Sequence, residues 1–387
     1  MASAAAETPP LRLGVAVRRF HPYGGGERFL ARLLEALPAE RFEVHLFTTG
    51  RPPAGPWRHH RVAAPEWAPW GRFWGYAWAV GRAVARHPVD LLYAHDPVLA
   101  APDLFRAGGG CHPAFLAAMA RAAGPARRLW ERLRPRHRVM AAVERRCFRA
   151  ARRVVVNSER VAAEAERHYG VPRSRITVLY NGIDPDRFRE ADRAAARAAY
   201  GERFPAAADR VRLLYVGSGF RRKGVDLLLR ALARTPHRGR YHLAVVGKEP
   251  RAGRYRRLAR RLGIGPQVDF TGPLAEVDRL YLGADCFCFP TRYEPFSNAC
   301  LEAMAAGLPL VTTAANGVAE LLTEGGGRVV QEPEAVAELA AALAAASDPA
   351  WRAEQGARAR EVAARHTLEG YQAAWTRLLL ALAEGRP

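Results

Sequence analysis

The stretch Val211-Arg-Leu-Leu-Tyr-Val-Gly-Ser-Gly-Phe-Arg-Arg-Lys-Gly224 decides the fold. An apolar strand runs into a glycine-bearing turn, and a helical pattern follows through Leu232. The same grammar opens the chain: a strand at Leu11–Val17, the loop His21-Pro-Tyr-Gly-Gly-Gly26, a helix over Glu27–Leu37 and a second strand at Glu43–Thr48. Further strands are expected at Asp90–Ala94, Arg153–Val156 and Ile176–Leu179. After the restart they are expected at Tyr241–Val246, Val268–Phe270, Asp285–Phe289 and Pro309–Thr312. Continuous apolar runs of this kind suit strands covered on both faces, as in parallel sheets. The chain is therefore read as α/β, with two doubly wound parallel-sheet domains facing a central cleft and ligands beyond the carboxyl ends of the strands. The expected domains are 1–190 and 211–365, joined by an Ala- and Arg-rich linker at 191–210. The helical, amphipathic tail from Trp351 to Leu382 includes a last helix, within 366–387, expected to pack back on the first domain.

Length and composition agree with two domains. The chain has 387 residues and is 49% hydrophobic, enough to build cores and to exclude general disorder. The longest uncharged stretch, Ala303–Ala319, carries Gly, Pro and Asn and makes a poor membrane span. The N-terminus lacks the basic flank and apolar core of a secretory signal. The net charge is +21, and lysine occurs only at Lys223 and Lys248. A drift toward arginine explains the residue choice but not the net excess, which favours an anionic partner. The five cysteines show no metal-site spacing; Cys286-Phe-Cys288 alternates along a strand. Buried reduced thiols and a cytosolic compartment are expected.

Three segments carry chemistry. Gly24-Gly25-Gly26 opens a helix, where backbone N–H groups can approach a diphosphate or sugar, or simply make a tight turn. Arg222-Lys223-Gly224 sets two cations at a strand end, suited to a diphosphate leaving group, although such a pair can also be a solvated loop. The retention of a rare lysine there favours function. Glu294-Pro-Phe-Ser-Asn-Ala-Cys-Leu-Glu302 places one carboxylate on a loop and one on the following helix. Ser297 is the expected N-cap and Gly307 the expected stop. The two carboxylates bracket a helix N-terminus able to meet phosphate, and each can hold a pair of sugar hydroxyls.

Together with Tyr180-Asn-Gly-Ile-Asp184 and with Glu27 beside Gly24-Gly25, these motifs resemble the GT-B glycosyltransferases of family 4, over nearly the whole chain. Gly217-Ser-Gly-Phe-Arg-Arg-Lys-Gly-Val-Asp226 and Phe20-His-Pro-Tyr-Gly-Gly25 are similar more narrowly to lipopolysaccharide core α-glucosyltransferases. The resemblance implies two Rossmann-like domains and a retaining, metal-independent hexosyl transfer. The donor, UDP-glucose, is a substrate, and no cofactor is implied. Arg222 and Lys223 would bind the diphosphate, Glu302 the ribose and Glu294 the donor sugar. Phe296, Ser297 and Asn298 would line the phosphate and sugar, while Gly24, Gly25 and Gly217 would let backbone approach the donor. His112, in Gly108-Gly-Gly-Cys-His112, would stand beside the donor sugar, with His95 a second candidate. Both histidines can equally be satisfied structural residues. The resemblance also implies front-face attack, with the leaving diphosphate accepting the acceptor's proton.

Asp184-Pro-Asp186 spells a metal motif of another glycosyltransferase fold, but here it reads as a turn. From His112 to Arg153 there are twelve arginines against Glu131 and Glu144, interleaved with Phe115, Leu116, Leu129, Trp130 and Phe148. With the upstream aromatics of Trp67–Trp78, this resembles a surface lying on an anionic bilayer at the cytoplasmic face. The acceptor would be a glycolipid or oligosaccharide. The alternatives are a GT-B enzyme using GDP-mannose or ADP-heptose, a nucleic-acid-binding protein, for which no reading module is present, and a non-catalytic membrane-binding protein.

Overall fold

A computed structural model describes residues 9–20, 25–64, 71–121 and 134–385. The expected Gly24 and the aromatics Trp67, Trp70 and Trp130 lie outside the described residues. The chain divides into two compact units, Met1–Leu179 with Gly370–Pro387, and Tyr180–Glu369.

The first unit holds β1 (Leu11–Ala16), α1 (Gly25–Glu35), β2 (Phe42–Thr48), β3 (Trp57–Arg61), α2 (Gly71–Arg86), β4 (Leu91–Ala94), β5 (Leu104–Arg106), α3 (His112–Arg121), α4 (Pro135–Ala150), β6 (Arg153–Val156), α5 (Glu159–Tyr169) and β7 (Ile176–Val178). Its strands pair in parallel in the order β3-β2-β1-β4-β5-β6-β7. The second unit holds α6 (Arg193–Arg203), β8 (Val211–Val216), α7 (Val225–Arg234), β9 (Tyr241–Val246), α8 (Ala252–Arg261), β10 (Val268–Gly272), α9 (Asp278–Gly283), β11 (Cys286–Phe289), α10 (Asn298–Ala305), β12 (Leu310–Thr313), β13 (Gly327–Val330), α11 (Val336–Ala345) and α12 (Pro349–Ala364). It is parallel throughout, in the order β10-β9-β8-β11-β12-β13. Both orders reverse beside the first strand of the unit, between β1 and β4 and between β8 and β11. Such switch points open a crevice at the strand ends.

Residues 191–210 are not a linker. The helix α6 packs on α9. Tyr200 is buried, Arg197 pairs with Asp285 at 2.7 Å, and Arg193 donates to the carbonyls of Leu282 and Ala306. The close approach of the two helices depends on Gly283: a β-carbon there would meet the Ala196 carbonyl and the Tyr200 side chain, each at 2.8 Å. The chain crosses instead at Leu179–Tyr180. It returns after Glu369 through α13 (Leu368–Ala383).

The helical tail comes as two helices because Ile183 stitches across the gap between them. Its N–H donates to the His366 carbonyl at 2.8 Å, and its own carbonyl accepts from the Leu368 N–H at 2.9 Å. Along α13, Tyr371, Trp375, Leu379 and Leu382 repeat at helical spacing and enter the core of the first unit with Leu13, Val15, Leu46 and Tyr93. The Trp375 ring lies 5.1 Å from that of Tyr93.

At the β2–β3 edge, His60 stands between two other histidines. Its Nε2 is 3.0 Å from His45 Nδ1, and its ring is 4.2 Å from that of His87. Burial, followed by His87, His45, His59 and Arg58, pushes His60 down to about 4.

Two outcomes follow from this packing. Trp375→Ala should cost about 3–5 kcal/mol, the usual loss for a buried tryptophan, and should lower the unfolding transition of the first unit. An unchanged denaturation curve would separate α13 from that core. The depressed His60 contributes stability that is present above its ordinary value of 6.5 and is lost as pH falls toward 4, because the unfolded chain takes up the proton first. The thermal midpoint should therefore drop over that window, and His60→Gln should flatten the drop. Parallel curves for the two proteins would rule out the histidine stack as a source of acid sensitivity.

Candidate functional site

The second unit brings Arg222, Lys223, Arg292 and Glu294 together where its strand order reverses. After β8 the chain turns through Gly217-Ser-Gly and reaches Arg222-Lys223-Gly224. After the neighbouring β11 it runs through Thr291-Arg292-Tyr293-Glu294 into α10. The two loops are laced together: the Arg222 carbonyl accepts from the Arg292 N–H at 2.8 Å and from the Thr291 hydroxyl at 3.1 Å. Gly224 has a φ of 74°, and a β-carbon there would stand 1.8 Å from the Pro290 carbonyl oxygen, so only glycine fits this crossing.

Three expected site residues meet here. Arg222 Nη1 donates to Glu294 Oε2 at 2.9 Å and to the Tyr293 carbonyl at 2.9 Å. Lys223 Nζ lies 3.4 Å from the same Glu294 oxygen and 5.1 Å from the centre of the Phe289 ring. The lysine stem crosses the bare face of Gly217. Glu294 is fixed through its backbone, which bonds to Ala315 and Gly317 on the loop after β12. One mostly buried carboxylate thus faces two cations.

The helix α10 begins beside this cluster. Ser297 is its N-cap, accepting from the Cys300 N–H at 3.2 Å. The helix closes with Gly307 and Leu308 N–H groups bonded to the carbonyls of Met304 and Ala303, the expected stop. Asn298 Oδ1 accepts from Asn181 Nδ2 at 2.7 Å. Phe296 is buried against Tyr180, whose hydroxyl bonds to Glu320 at 3.0 Å. The Tyr180-Asn-Gly-Ile-Asp184 run is therefore a brace for the start of α10 and for the tail. In Asp184-Pro-Asp186, the Asp184 carboxylate accepts from the Asp186 N–H at 3.1 Å, which makes it the expected turn.

Glu302 does not join the Arg222–Lys223 pair. It binds Arg187 Nη1 at 3.3 Å and the Tyr281 hydroxyl at 2.9 Å. Arg187 also clasps Asp278 with two bonds, at 2.6 and 3.2 Å. Burial raises the Glu302 carboxyl, and the Arg187 charge works against that rise. Arg187, Tyr281 and Asp278 are left unmarked by the sequence pattern, because they come from two other segments. Beyond β8, β9 and β10 a cavity of 340 Å³ has walls of Phe220, Pro250, Phe270 and Pro273, with Lys248 and Arg256 at its polar side.

In the first unit, Gly25 opens α1, and His112 is the first residue of α3. His112 Nε2 lies 2.9 Å from His137 Nδ1, and the His112 backbone N–H donates to Glu144 Oε2 at 2.9 Å. Burial, then His137 and Arg136, pushes His112 down to about 4, while burial pushes Glu144 up to about 7. His95 follows β4, is half-buried, is depressed to about 3 by desolvation and the Arg106 charge, and bonds to the Tyr93 hydroxyl at 2.9 Å. The five cysteines are buried and form no disulfide. Phe148, expected among interfacial aromatics, is a core residue stacked on Tyr169 and edge-on to Phe105. Among the described residues no helix is long and apolar enough to cross a membrane.

The family model described as Glycosyltransferase Family 4 matches residues 23–187, and that described as Glycosyl transferases group 1 matches residues 199–362. The chain is 28% identical over 323 residues to lipopolysaccharide glucosyltransferase WaaG of Escherichia coli K12, covering 81% of this chain and 84% of that protein. It is 36% identical over 230 residues to D-inositol 3-phosphate glycosyltransferase 2 of Catenulispora acidiphila, covering 56% of this chain and 53% of that one. The crystal structure of WaaG superposes with a TM-score of 0.80 at 27% identity, over 95% of this chain and 99% of that chain. HepE of Anabaena, solved with UDP and glucose, shares the fold, with a TM-score of 0.70 at 19% identity over 96% of this chain and 100% of that one. The two Rossmann-like units, the site at the reversal of the second sheet and these relationships agree: the chain belongs to the GT-B glycosyltransferases that carry a family 4 and a group 1 domain.

Proposed function

We propose that the protein transfers a hexose from UDP-glucose to a glycolipid acceptor such as lipopolysaccharide core, with retention and without a metal ion, as a peripheral protein on the cytoplasmic face of the membrane. The observation that carries the reading is the pairing of Arg222 and Lys223 with Glu294 at the strand ends of the second unit. The cations exchange the carboxylate for the donor diphosphate, and the freed Glu294 oxygens accept from hydroxyls of the donor sugar. Glu302 holds the ribose, with Arg187 and Tyr281 fixing its orientation. Phe296, Ser297 and Asn298 present the start of α10 to phosphate and sugar, and the 340 Å³ cavity, with its flat apolar walls, receives the base. Gly24 and Gly25 let the first unit's loop approach the donor, and His112 stands beside the donor sugar.

In the transfer, the bond from the anomeric carbon to the β-phosphate oxygen breaks. The acceptor oxygen bonds to that carbon on the same face, and the acceptor's proton passes to the departing phosphate. Two fixed cations favour this step because negative charge grows on the leaving group in the transition state. The inositol phosphate relative, at 36% identity, favours a second reading in which the acceptor is a small phosphorylated polyol.

Lys223→Ala should lower turnover at least tenfold, a loss of about 1.4 kcal/mol of transition-state stabilisation, read as release of the nucleoside diphosphate in a panel of UDP, GDP and ADP sugars without metal. Full activity in the folded variant would remove Lys223 from the mechanism. Activity with GDP-mannose or ADP-heptose alone would replace the donor.

The membrane reading rests on two helices of the first unit that pack on each other. On α2, Trp74 and Trp78 are 44% and 42% exposed and stacked 6.4 Å apart, with Arg82 over Trp78. On α4, Arg138, Arg145, Arg146 and Arg149 surround an open basic hollow. Aromatic rings beside a cationic face suit an anionic lipid interface. The protein should sediment with phosphatidylglycerol vesicles at low salt and not with phosphatidylcholine vesicles, and Trp74→Ala/Trp78→Ala should weaken binding several-fold. Indifference to both vesicles would refute the peripheral location.

A further inference from the structure

We propose that His137 is a positioning residue for His112: it holds the neutral His112 ring in the tautomer protonated on Nδ1, so that His112 meets a ligand only as a hydrogen-bond donor. This rests on the proposed place of His112 beside the donor sugar, and it goes beyond that reading by assigning the proton and the residue that fixes it.

The argument begins at Arg136. Its Nε–H donates to His137 Nε2 at 3.2 Å. A guanidinium has no acceptor, so the His137 Nε2 must offer a lone pair, and the proton of neutral His137 must sit on Nδ1. His137 Nδ1 is 2.9 Å from His112 Nε2 and therefore donates to it. His112 Nε2 is then an acceptor, and the proton of neutral His112 must sit on Nδ1. The chain Arg136–His137–His112 has one polarity, set by the group that cannot be reversed.

The surroundings oppose the alternative. A second proton on His112 would bring two N–H groups head to head across the 2.9 Å gap. Both rings are nearly sealed, at 8% and 7% exposure, and lie stacked at 5.0 Å. The ring also sits at the first residue of α3, the end of a helix that disfavours a cation. Burial with His137 and Arg136 nearby holds His112 far below the ordinary histidine range.

The backbone is held separately. Glu144 accepts the His112 N–H at 2.9 Å and the Tyr169 hydroxyl at 2.5 Å. Ring and backbone are thus fixed by two different residues of α4, with Tyr169 on α5 steadying Glu144, and the ring has one position left to use. His112 Nδ1 has no hydrogen-bond partner among the described residues. In this tautomer His112 cannot act as a general base: its lone pair is occupied and its free nitrogen carries the proton. It can donate to a hydroxyl or phosphate oxygen of a bound sugar nucleotide, which accords with proton transfer to the leaving diphosphate rather than to a side chain.

The test is nitrogen NMR on the full chain carrying ¹⁵N-histidine, with the His112 signals assigned by their loss in His112→Gln. The expected result is a protonated Nδ1 and an unprotonated Nε2 on His112 at neutral pH. His137→Leu should release the ring toward the Nε2-protonated form, the one preferred in water. His137→Gln should restore the pattern, because its amide offers both a donor for His112 and an acceptor for Arg136. In turnover, His137→Leu should lose about as much as His112→Ala, and His137→Gln should recover most of it. An Nε2-protonated His112 in the unaltered protein overturns the assignment, without any variant having to fold. So does a tautomer indifferent to His137→Leu. If the tautomer behaves as expected and His112→Ala keeps full turnover, the assignment stands and the place of His112 beside the sugar is what fails.

Discussion

The buried guanidinium of Arg292 is the constraint on which the candidate donor site depends. It forks onto Asp226 with two bonds of 2.8 Å, onto Glu334 at 2.6 and 3.3 Å, and onto the Arg221 carbonyl at 2.6 Å. Its own backbone N–H reaches the Arg222 carbonyl. One side chain therefore joins the loop after β8, the first turn of α7, the loop after β11 and the segment after β13. Taking such a charge out of water is costly unless every proton is matched, and here five bonds to two carboxylates and a carbonyl match it. The paired carboxylates hold the guanidinium more firmly protonated than usual. Removing it would leave Asp226 and Glu334 without their counter-charge and free the loop that carries Arg222 and Lys223.

This arrangement divides rigid from movable parts. Glu294 is held by a backbone bridge to the loop after β12, and the backbone of Arg222 is held by Arg292. What remains free to move is the side chains of Arg222 and Lys223. In the proposed function, both would pass from a carboxylate to a phosphate by side-chain movement alone. Without a ligand, the Glu294 pairing keeps the cations near the place where a diphosphate would need them, and no buried charge is left uncompensated. Phe289 beneath Lys223 adds a second restraint on the ammonium.

The sequence shows the centre of each sheet better than its edges. Val211–Val216 and Tyr241–Val246 are read with their observed bounds, because each carries an apolar run, Leu213–Val216 and Leu243–Val246, whose centre is buried. Three strands escape notice. Trp57–Arg61 reads Trp-Arg-His-His-Arg, an edge strand with no apolar run. Gly327–Val330 is also an edge, and Leu104–Arg106 is only three residues long. The site shows the same division. Arg222, Lys223, Glu294 and Ser297 lie in contiguous motifs and are legible. Arg292 stands two residues before Glu294, yet its role is invisible, because Asp226 and Glu334 come from elsewhere in the chain. His137 and Arg187 are hidden in the same way: each meets its partner only after folding, and in an arginine-rich chain no single arginine stands out.

That richness in arginine resolves into two populations. Arg292, Arg187, Arg193 and Arg197 are pins: each ends on carboxylates or carbonyls of a neighbouring segment. For these, arginine's fixed fork does what a lysine's single ammonium could not. Other arginines bond to no carboxylate among the described residues. Along α4, Arg146 and Arg149 spend their Nε protons on the carbonyls of Leu99 and Tyr169. That orients the side chains without neutralising them. Glu144, the acid nearest in sequence, points the other way, to Tyr169 and His112. The excess positive charge is thus not spread evenly over the molecule. Part of it is concentrated on a helix face whose own acid is already committed to holding His112, so the same carboxylate that fixes the candidate site also leaves that face cationic.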